Sequence, residues 1–178
     1  MNWAVIGYGG MGGWHISQLQ SMTDAFTIAG VYDILPERNA AAEENGLRAY
    51  PTLEELLADA SIDLVTIATP NDTHLPLAIA AMKSGKHVIC EKPVALSTAE
   101  LTEMIDVSRQ TNRLLTVHQN RRWDEDFLIV KKLLEENELG LVFSVESRVQ
   151  GSRGVPGDWR NQKEHGGGMI LDWGVHLL

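Results

Sequence analysis

A doubly wound parallel α/β sheet, followed by an incomplete α+β second domain, is the fold class that this sequence predicts. Three observations point to it. Short apolar runs alternate with helical patterns through the first two thirds of the chain, the βαβ signature of a parallel sheet. A glycine loop, Gly7-Tyr8-Gly9-Gly10-Met11-Gly12, follows the first apolar run and opens the first helical pattern. The alternation stops near residue 120, so residues 1–120 form the first domain and residues 121–178 a partial second one.

Strands are expected at Trp3–Ile6, Thr27–Tyr32, Leu64–Ala68, His87–Cys90 and Leu114–Val117, with a short weak strand near Arg48–Tyr50. Helices are expected at Trp14–Gln20, Pro36–Asn45, Leu53–Ala58, Leu75–Ser84 and Thr98–Thr111. Thr52 with Glu55, and Ser97 with Glu100, have the spacing of capping boxes, in which a hydroxyl accepts a free backbone N–H of the first turn. Gly46 and Gly85 stand where the preceding helices should stop. Beyond residue 120, Asp124–Glu136 has the period of an amphipathic helix, with Phe127, Val130, Leu133 and Leu134 on one side. Leu141–Val149 reads as a long strand, Gly151–Gly167 as an irregular segment and Gly168–Leu178 as the start of another helix. A lone strand cannot bury its faces or satisfy its edges. The strand carrying Leu141, Phe143, Val145 and Val149 therefore pairs between subunits, or the chain is a shortened form of a longer protein. A homo-oligomer, in its simplest form a dimer, is expected.

The chain has 178 residues and a formal net charge of −9, with 44% hydrophobic and 22% charged residues. This is the composition of a soluble globular protein able to bury roughly 70% of its unfolded surface. The acidic balance argues against a nucleic-acid partner, which needs clustered Lys and Arg, and against an anionic membrane surface. The single cysteine, Cys90, lies in the apolar run Val88-Ile89-Cys90 and reads as a buried strand residue in a reducing compartment. No apolar run approaches the ~18 residues of a membrane span. The N-terminal residues read as a first strand, not a signal peptide, so a cytoplasmic location is expected.

The glycine loop matches G-x-G-x-x-G between a strand and a helix, the setting in which that pattern binds a dinucleotide. Gly7 permits the tight turn, Gly9 lets the backbone approach a pyrophosphate, and Gly12 lets helix and sheet pack closely. Gly10 and Met11 complete the loop. The free N–H groups and positive dipole end of the helix favour the anion. Asp33 follows about 20 residues past Gly12, at the end of Val31-Tyr32-Asp33, where a carboxylate accepts the ribose hydroxyls of NAD and repels the 2′-phosphate of NADP. NAD is thus the expected cofactor and NADP the less favoured one. Arg38 is the reservation, since a nearby cation tolerates a phosphate.

Three further segments carry a family resemblance: Ala68-Thr69-Pro70-Asn71-Asp72-Thr73-His74 after one strand, Glu91-Lys92-Pro93 after the next, and Gly166-Gly167-Gly168-Met169-Ile170-Leu171-Asp172-Trp173-Gly174-Val175-His176. In this order, behind a glycine loop, they resemble the glucose–fructose oxidoreductase, inositol dehydrogenase and rhizopine-catabolism family, Gfo/Idh/MocA. The resemblance covers the whole chain, although members are typically about twice as long, so the match ends early in their second domain. It implies that Lys92 moves the proton of a substrate hydroxyl, with Asp172 and His176 as the remaining catalytic pair. It places Glu91 near the nicotinamide ribose, in a tight turn that accommodates a cis bond before Pro93. Thr69, Pro70, Asn71 and His74 correspond to a cofactor-lining loop, and Trp159-Arg160 to a cofactor- or substrate-contacting pair. His118-Gln119-Asn120-Arg121-Arg122-Trp123 corresponds to the segment leaving the nucleotide domain near the substrate, with Asn120 and Arg122 as substrate contacts.

The chemistry is coherent with that resemblance. Oxidising a secondary alcohol releases a hydride to nicotinamide and a proton to a base, and a lysine serves as base when burial or nearby cations favour its neutral form. Asp172 and His176, four residues apart, would share one face of a helix. The histidines His15, His74, His87, His118, His165 and His176 show no metal-ligand spacing, so no catalytic metal is expected. The expected function is an NAD-dependent oxidoreductase acting on a small sugar, polyol or related hydroxy compound. Two alternatives stay open: a non-catalytic dinucleotide-binding regulator or inactive remnant, and an NAD-dependent glycoside hydrolase.

Overall fold

Five apolar runs become one parallel sheet: β1 (Asn2–Ile6), β2 (Thr27–Tyr32), β3 (Leu64–Ile67), β4 (His87–Cys90) and β5 (Leu115–Val117), in the order β2-β1-β3-β4-β5. The computed structural model describes residues 1–22, 24–150 and 157–177. The weak strand expected near Arg48–Tyr50 is a single parallel bridge, Val31 to Ala49, on the free edge of β2. Counting it, the sheet has the 3-2-1-4-5-6 order of a Rossmann fold, with the order reversing between β1 and β3. All four residues of β3 are buried, as a central strand covered on both faces requires.

Among the described residues, seven α-helices accompany the sheet: α1 (Gly10–Gln20), α2 (Pro36–Glu44), α3 (Leu53–Ala58), α4 (His74–Lys83), α5 (Thr98–Thr111), α6 (Glu125–Glu135) and α7 (Met169–Asp172). Both capping boxes form their first half, with Glu55 N–H donating to Thr52 Oγ1 and Glu100 N–H to Ser97 Oγ. Glu100 reaches back to the N–H of Leu96 rather than that of Ser97. Helix α1 starts four residues before the sequence pattern suggests. Its glycine-rich first turn has poor helix propensity, but packing against the sheet overrides it. One core cluster, around Tyr50, Leu56, Ile67, Met82, Val88 and Met104, joins the sheet to α3, α4 and α5. A smaller one, Val5, Ile16, Val31 and Ala42, seats α1 and α2. Cys90 is buried, as expected, and burial pushes its thiol pKa up, so it is unreactive.

Two expectations beyond residue 120 are corrected. Residues 141–149 form no strand, because they pair with no backbone among the described residues; Leu141, Phe143 and Val145 stand 92%, 95% and 79% exposed. The expected helix from Gly168 breaks into α7 and a 3-10 turn, Gly174–His176. Gly168 at φ +119° keeps the chain out of a helix before Met169, and Trp173 leaves the ladder at φ −108°. Residues 151–156 of the expected irregular segment, and Leu178, lie outside the described residues. No helix among the described residues is long and apolar enough to cross a membrane.

Ile67 is fully buried on β3, between sheet and helices. Ile67→Ala is expected to lower stability by roughly 2–5 kcal/mol in urea unfolding, since the rigid surroundings cannot fill the cavity. A loss well under that range would mean that the layer collapses around the gap.

Candidate active site

Every candidate segment except the last two begins where a strand stops. Ile6 pairs in register with Ile67, Ile67 with Cys90, and Cys90 with Val117. The next residues continue the ladder, with Ala68 N–H donating to Ile6, Glu91 to Ile67 and His118 to Cys90, at 2.8, 3.0 and 2.8 Å. Gly7, Ala68, Glu91 and His118 therefore stand side by side on one rim, at the carboxyl ends where ligands of open α/β sheets bind.

The glycine loop fits a dinucleotide. Gly7 has φ +93°, and a Cβ there would lie 2.6 Å from the Ala68 carbonyl oxygen. A Cβ on Gly12 would lie 1.9 Å from the Gly7 carbonyl oxygen, so only glycine lets α1 approach the sheet this closely. Gly10 faces open space, Met11 is half-buried beside it, and no side chain caps the N-terminus of α1. The first-turn N–H groups are thereby left for an anion.

Asp33 is more engaged than the sequence suggests. Its carboxylate accepts the N–H of Tyr8 at 2.7 Å and that of Leu35 at 2.9 Å, and pairs with Arg38 Nη1 at 3.1 Å. Its side chain is only 2% exposed, whereas that of Arg38 is 46% exposed and lies over Gly9.

Three expected cofactor contacts turn inward. His74 is fully buried, with Nδ1 2.9 Å from the Pro93 carbonyl and Nε2 3.0 Å from the Thr69 carbonyl. It braces the two rim turns that follow β3 and β4. Burial holds its pKa below the ordinary histidine value. Asn71 is buried and donates to the Gly166 carbonyl at 2.9 Å, tying the rim to the glycine-rich segment before α7. Thr69 and Thr73 share a hydroxyl contact at 2.6 Å, and Pro70 accepts from Thr73.

Glu91 also points its carboxylate inward, onto partners within the protein. Its Oε1 meets His15 Nε2 at 2.7 Å and His118 Nδ1 at 2.8 Å, and its Oε2 accepts the Lys92 N–H at 3.2 Å. Burial alone would raise the Glu91 pKa; the hydrogen bonds from His118 and His15 outweigh it and hold the carboxyl at about 2. The three groups offer ligand atoms within 4.8 Å of one another, a set that could hold a divalent cation. The two short N–O distances are those of hydrogen bonds. His118 opens the segment that the resemblance places near the substrate, whereas the one local signal of His15 is its position on the helix after the glycine loop.

The turn after β4 carries Lys92, joined to Pro93 by a cis bond. Lys92 Nζ donates to the Asp172 carbonyl at 2.6 Å and to Asp172 Oδ1 at 2.9 Å. Arg160 Nε lies 3.5 Å from Asp172 Oδ2, and its guanidinium stacks over Trp159 at 4.6 Å. His176 lies near enough to feel Lys92, Arg121 and Asp172; burial and then the positive Lys92 lower its pKa, and its buried Nδ1 has no partner. Asp172 and His176 thus meet Lys92 from α7 and the following turn rather than from one helix face. Asn120 and Arg122 instead line an open groove of about 550 Å³ with Trp14, His118 and Trp123. Their neighbours reach the segment that carries Asp172 and His176: Gln119 Nε2 donates to the Val175 carbonyl at 2.5 Å, and Arg121 lies over Trp173 at 5.5 Å.

Gly12→Ala is expected to destabilise by about 1–3 kcal/mol or more and to abolish dinucleotide binding, read by urea unfolding and titration calorimetry. Wild-type behaviour would mean that α1 has room to shift. The lowered pKa values of His74 and His176 predict stability that is complete above about 6.5, the unfolded histidine value, and falls as pH drops below it. A second loss should follow between about 4.5 and 2 as Glu91 takes up its proton. Thermal melts across pH check both windows, and His74→Asn should flatten the upper one.

Comparison with known proteins agrees with this geometry. The profile of an oxidoreductase family with an NAD-binding Rossmann fold, GFO/IDH/MocA, matches residues 1–119, and that of the GFO/IDH/MocA C-terminal domain matches residues 127–178. The crystal structure of an NAD-binding protein from Listeria innocua is 52% identical and superposes with a TM-score of 0.95, over 99% of this chain and 52% of that one. A myo-inositol 2-dehydrogenase of Thermotoga maritima is 31% identical over 178 residues, 99% of this chain and 52% of that protein. A scyllo-inositol 2-dehydrogenase (NADP(+)) of Bacillus subtilis is 29% identical over 181 residues, 98% of this chain and 49% of that protein. The chain spans about half the length of the curated relatives it matches. With a glycine loop on a Rossmann rim and Lys92 paired to Asp172, the chain belongs to the Gfo/Idh/MocA oxidoreductase family.

Proposed function

We propose that this chain carries the cofactor domain and the first catalytic groups of an NAD-dependent dehydrogenase acting on a secondary alcohol of a sugar, polyol or related hydroxy compound. The observation that carries this reading is the Lys92–Asp172 pair, Nζ to Oδ1 at 2.9 Å, on the rim that also bears the glycine loop. The inositol dehydrogenases among the relatives support a polyol. Bound nicotinamide supplies the hydride acceptor. Once Nζ has given a proton to solvent, the neutral Lys92 amine takes the hydroxyl proton as the alcohol becomes a carbonyl; in the reductive direction the ammonium returns it. Asp172 holds Nζ through both its carboxylate and its main-chain carbonyl, while Arg160 steadies the other carboxylate oxygen. His176, whose pKa burial and Lys92 lower, stands beside this pair as a group to orient the substrate hydroxyl. A cytoplasmic homo-oligomer belongs to the same proposal, supported by the free buried Cys90 and the exposed Leu141, Phe143 and Val145.

Asp33 supports NAD, because a second anion beside its carboxylate is disfavoured. Arg38 supports a second reading, in which its exposed guanidinium beside Gly9 takes the 2′-phosphate of NADP.

Lys92→Met, assayed with NAD+ and a polyol panel headed by myo-inositol, is expected to lower kcat by about 100-fold or more while NAD+ affinity stays within about threefold. Unchanged turnover would remove Lys92 from the chemistry. For the cofactor, NAD+ should bind more tightly than NADP+ in calorimetry. NADP+ binding tighter than NAD+ and lost in Arg38→Ala would establish the second reading.

A further inference from the structure

We propose that His15 and His118 are positioning residues for Lys92, acting through Glu91. The inference rests on the reading of Lys92 as the proton-transfer group and adds the device that holds it. Three elements meet at the Glu91 carboxylate: α1, which presents the glycine loop, the end of β4, and the end of β5. His15 and His118 both reach Oε1, at 2.7 and 2.8 Å, while Oε2 takes the main-chain N–H of Lys92 at 3.2 Å. One donor would leave the carboxylate free to pivot. Two donors from separate elements fix both its place and its rotation. The His15 and Glu91 side chains are 6% and 7% exposed, and the two imidazoles pack 4.5 Å apart with Trp14 against both. Water therefore cannot replace a lost donor cheaply, since a buried carboxylate without its partners is strongly disfavoured.

The geometric result is a brace between the two ends of the cleft. Through His15 the carboxylate is tied to the helix whose N-terminus receives the pyrophosphate, and through Oε2 to the residue that moves the proton. The spacing between cofactor and base is thus set inside the nucleotide domain, before the contact of Lys92 with Asp172 is made. Displacement of a reacting group by about 1 Å is enough to reduce turnover by about 100-fold.

The test compares His15→Ala and His118→Ala with His15→Gln and His118→Asn in the full chain. Gln places an amide N–H near the position of Nε2, and Asn near that of Nδ1, so each conservative variant keeps its donor to Glu91. His15→Leu and His118→Leu keep volume without a donor. The first readout needs no turnover: the Nζ signal of Lys92 in lysine-labelled protein, assigned by its loss in Lys92→Met. The proposal expects the Ala and Leu variants to shift or broaden that signal and the Gln and Asn variants to restore it, with cooperative melting retained. If His15→Ala does not fold, the half-exposed His118 series decides alone. Where turnover with myo-inositol is measurable, kcat should fall about 10- to 100-fold in the Ala variants with KM within about threefold. A wild-type Lys92 signal in both Ala variants, or full restoration by Leu, would overturn the proposal. Failure of the Lys92 reading itself would appear differently, as unchanged turnover in Lys92→Met with the signal still responding to the histidines.

Discussion

The in-register row of backbone hydrogen bonds at the carboxyl ends of β1, β3, β4 and β5 is the constraint on which the site depends. Ile6, Ile67, Cys90 and Val117 pair across it, so the first residue after each strand lands on a common rim. A parallel ladder with one residue of slip would turn each of those side chains to the opposite face of the sheet. The close-packed residues of β1, β3 and β4 resist such a slip, because it would exchange the side chains fitted to the helices on one face with those fitted to the other. The core thus fixes the chemistry: apolar packing sets register, and register sets which polar groups meet.

Those polar groups divide by direction. Lys92 leaves the rim toward the second half of the chain and finds Asp172. Glu91 and His74, from the same turns, go inward and are satisfied by protein partners. A buried polar group requires such partners, and here they are drawn from separate strand ends, so satisfying them also cross-links the rim. Asp33 follows a middle course. Two backbone N–H donors hold its carboxylate while Arg38 covers it from the solvent side, so an anion and a cation are balanced at the end of β2.

The second half of the chain is organised around the first. Asn71 holds Gly166, Lys92 holds Asp172, and Gln119 holds Val175, three contacts that fold residues 157–177 over the rim. Helix α6 and residues 141–149 make no comparable contact. Their apolar side chains, Ile129 and Phe143 among them, stay exposed, and the extended segment has no strand beside it.

Local pattern determined much of this protein. The alternation of apolar runs, the capping hydroxyls at Thr52 and Ser97, and the glycines at 7 and 12 are readable because each reflects a requirement of its own few residues: a period, a cap, a missing Cβ. The candidate motifs were legible for the same reason, as short strings following strands. Tertiary structure alone decided what those strings face. His15, Glu91 and His118 are separated by 76 and 27 positions and become neighbours only because their elements converge. The resemblance singles out Asn120 and Arg122, yet Gln119 and Arg121 reach the segment of Asp172 and His176, since the direction of a side chain in a 3-10 turn depends on what the turn packs against. The strand expected at 141–149 failed because an edge hydrogen bond needs a second backbone, and no chain segment carries in its own residues the partner that would complete it.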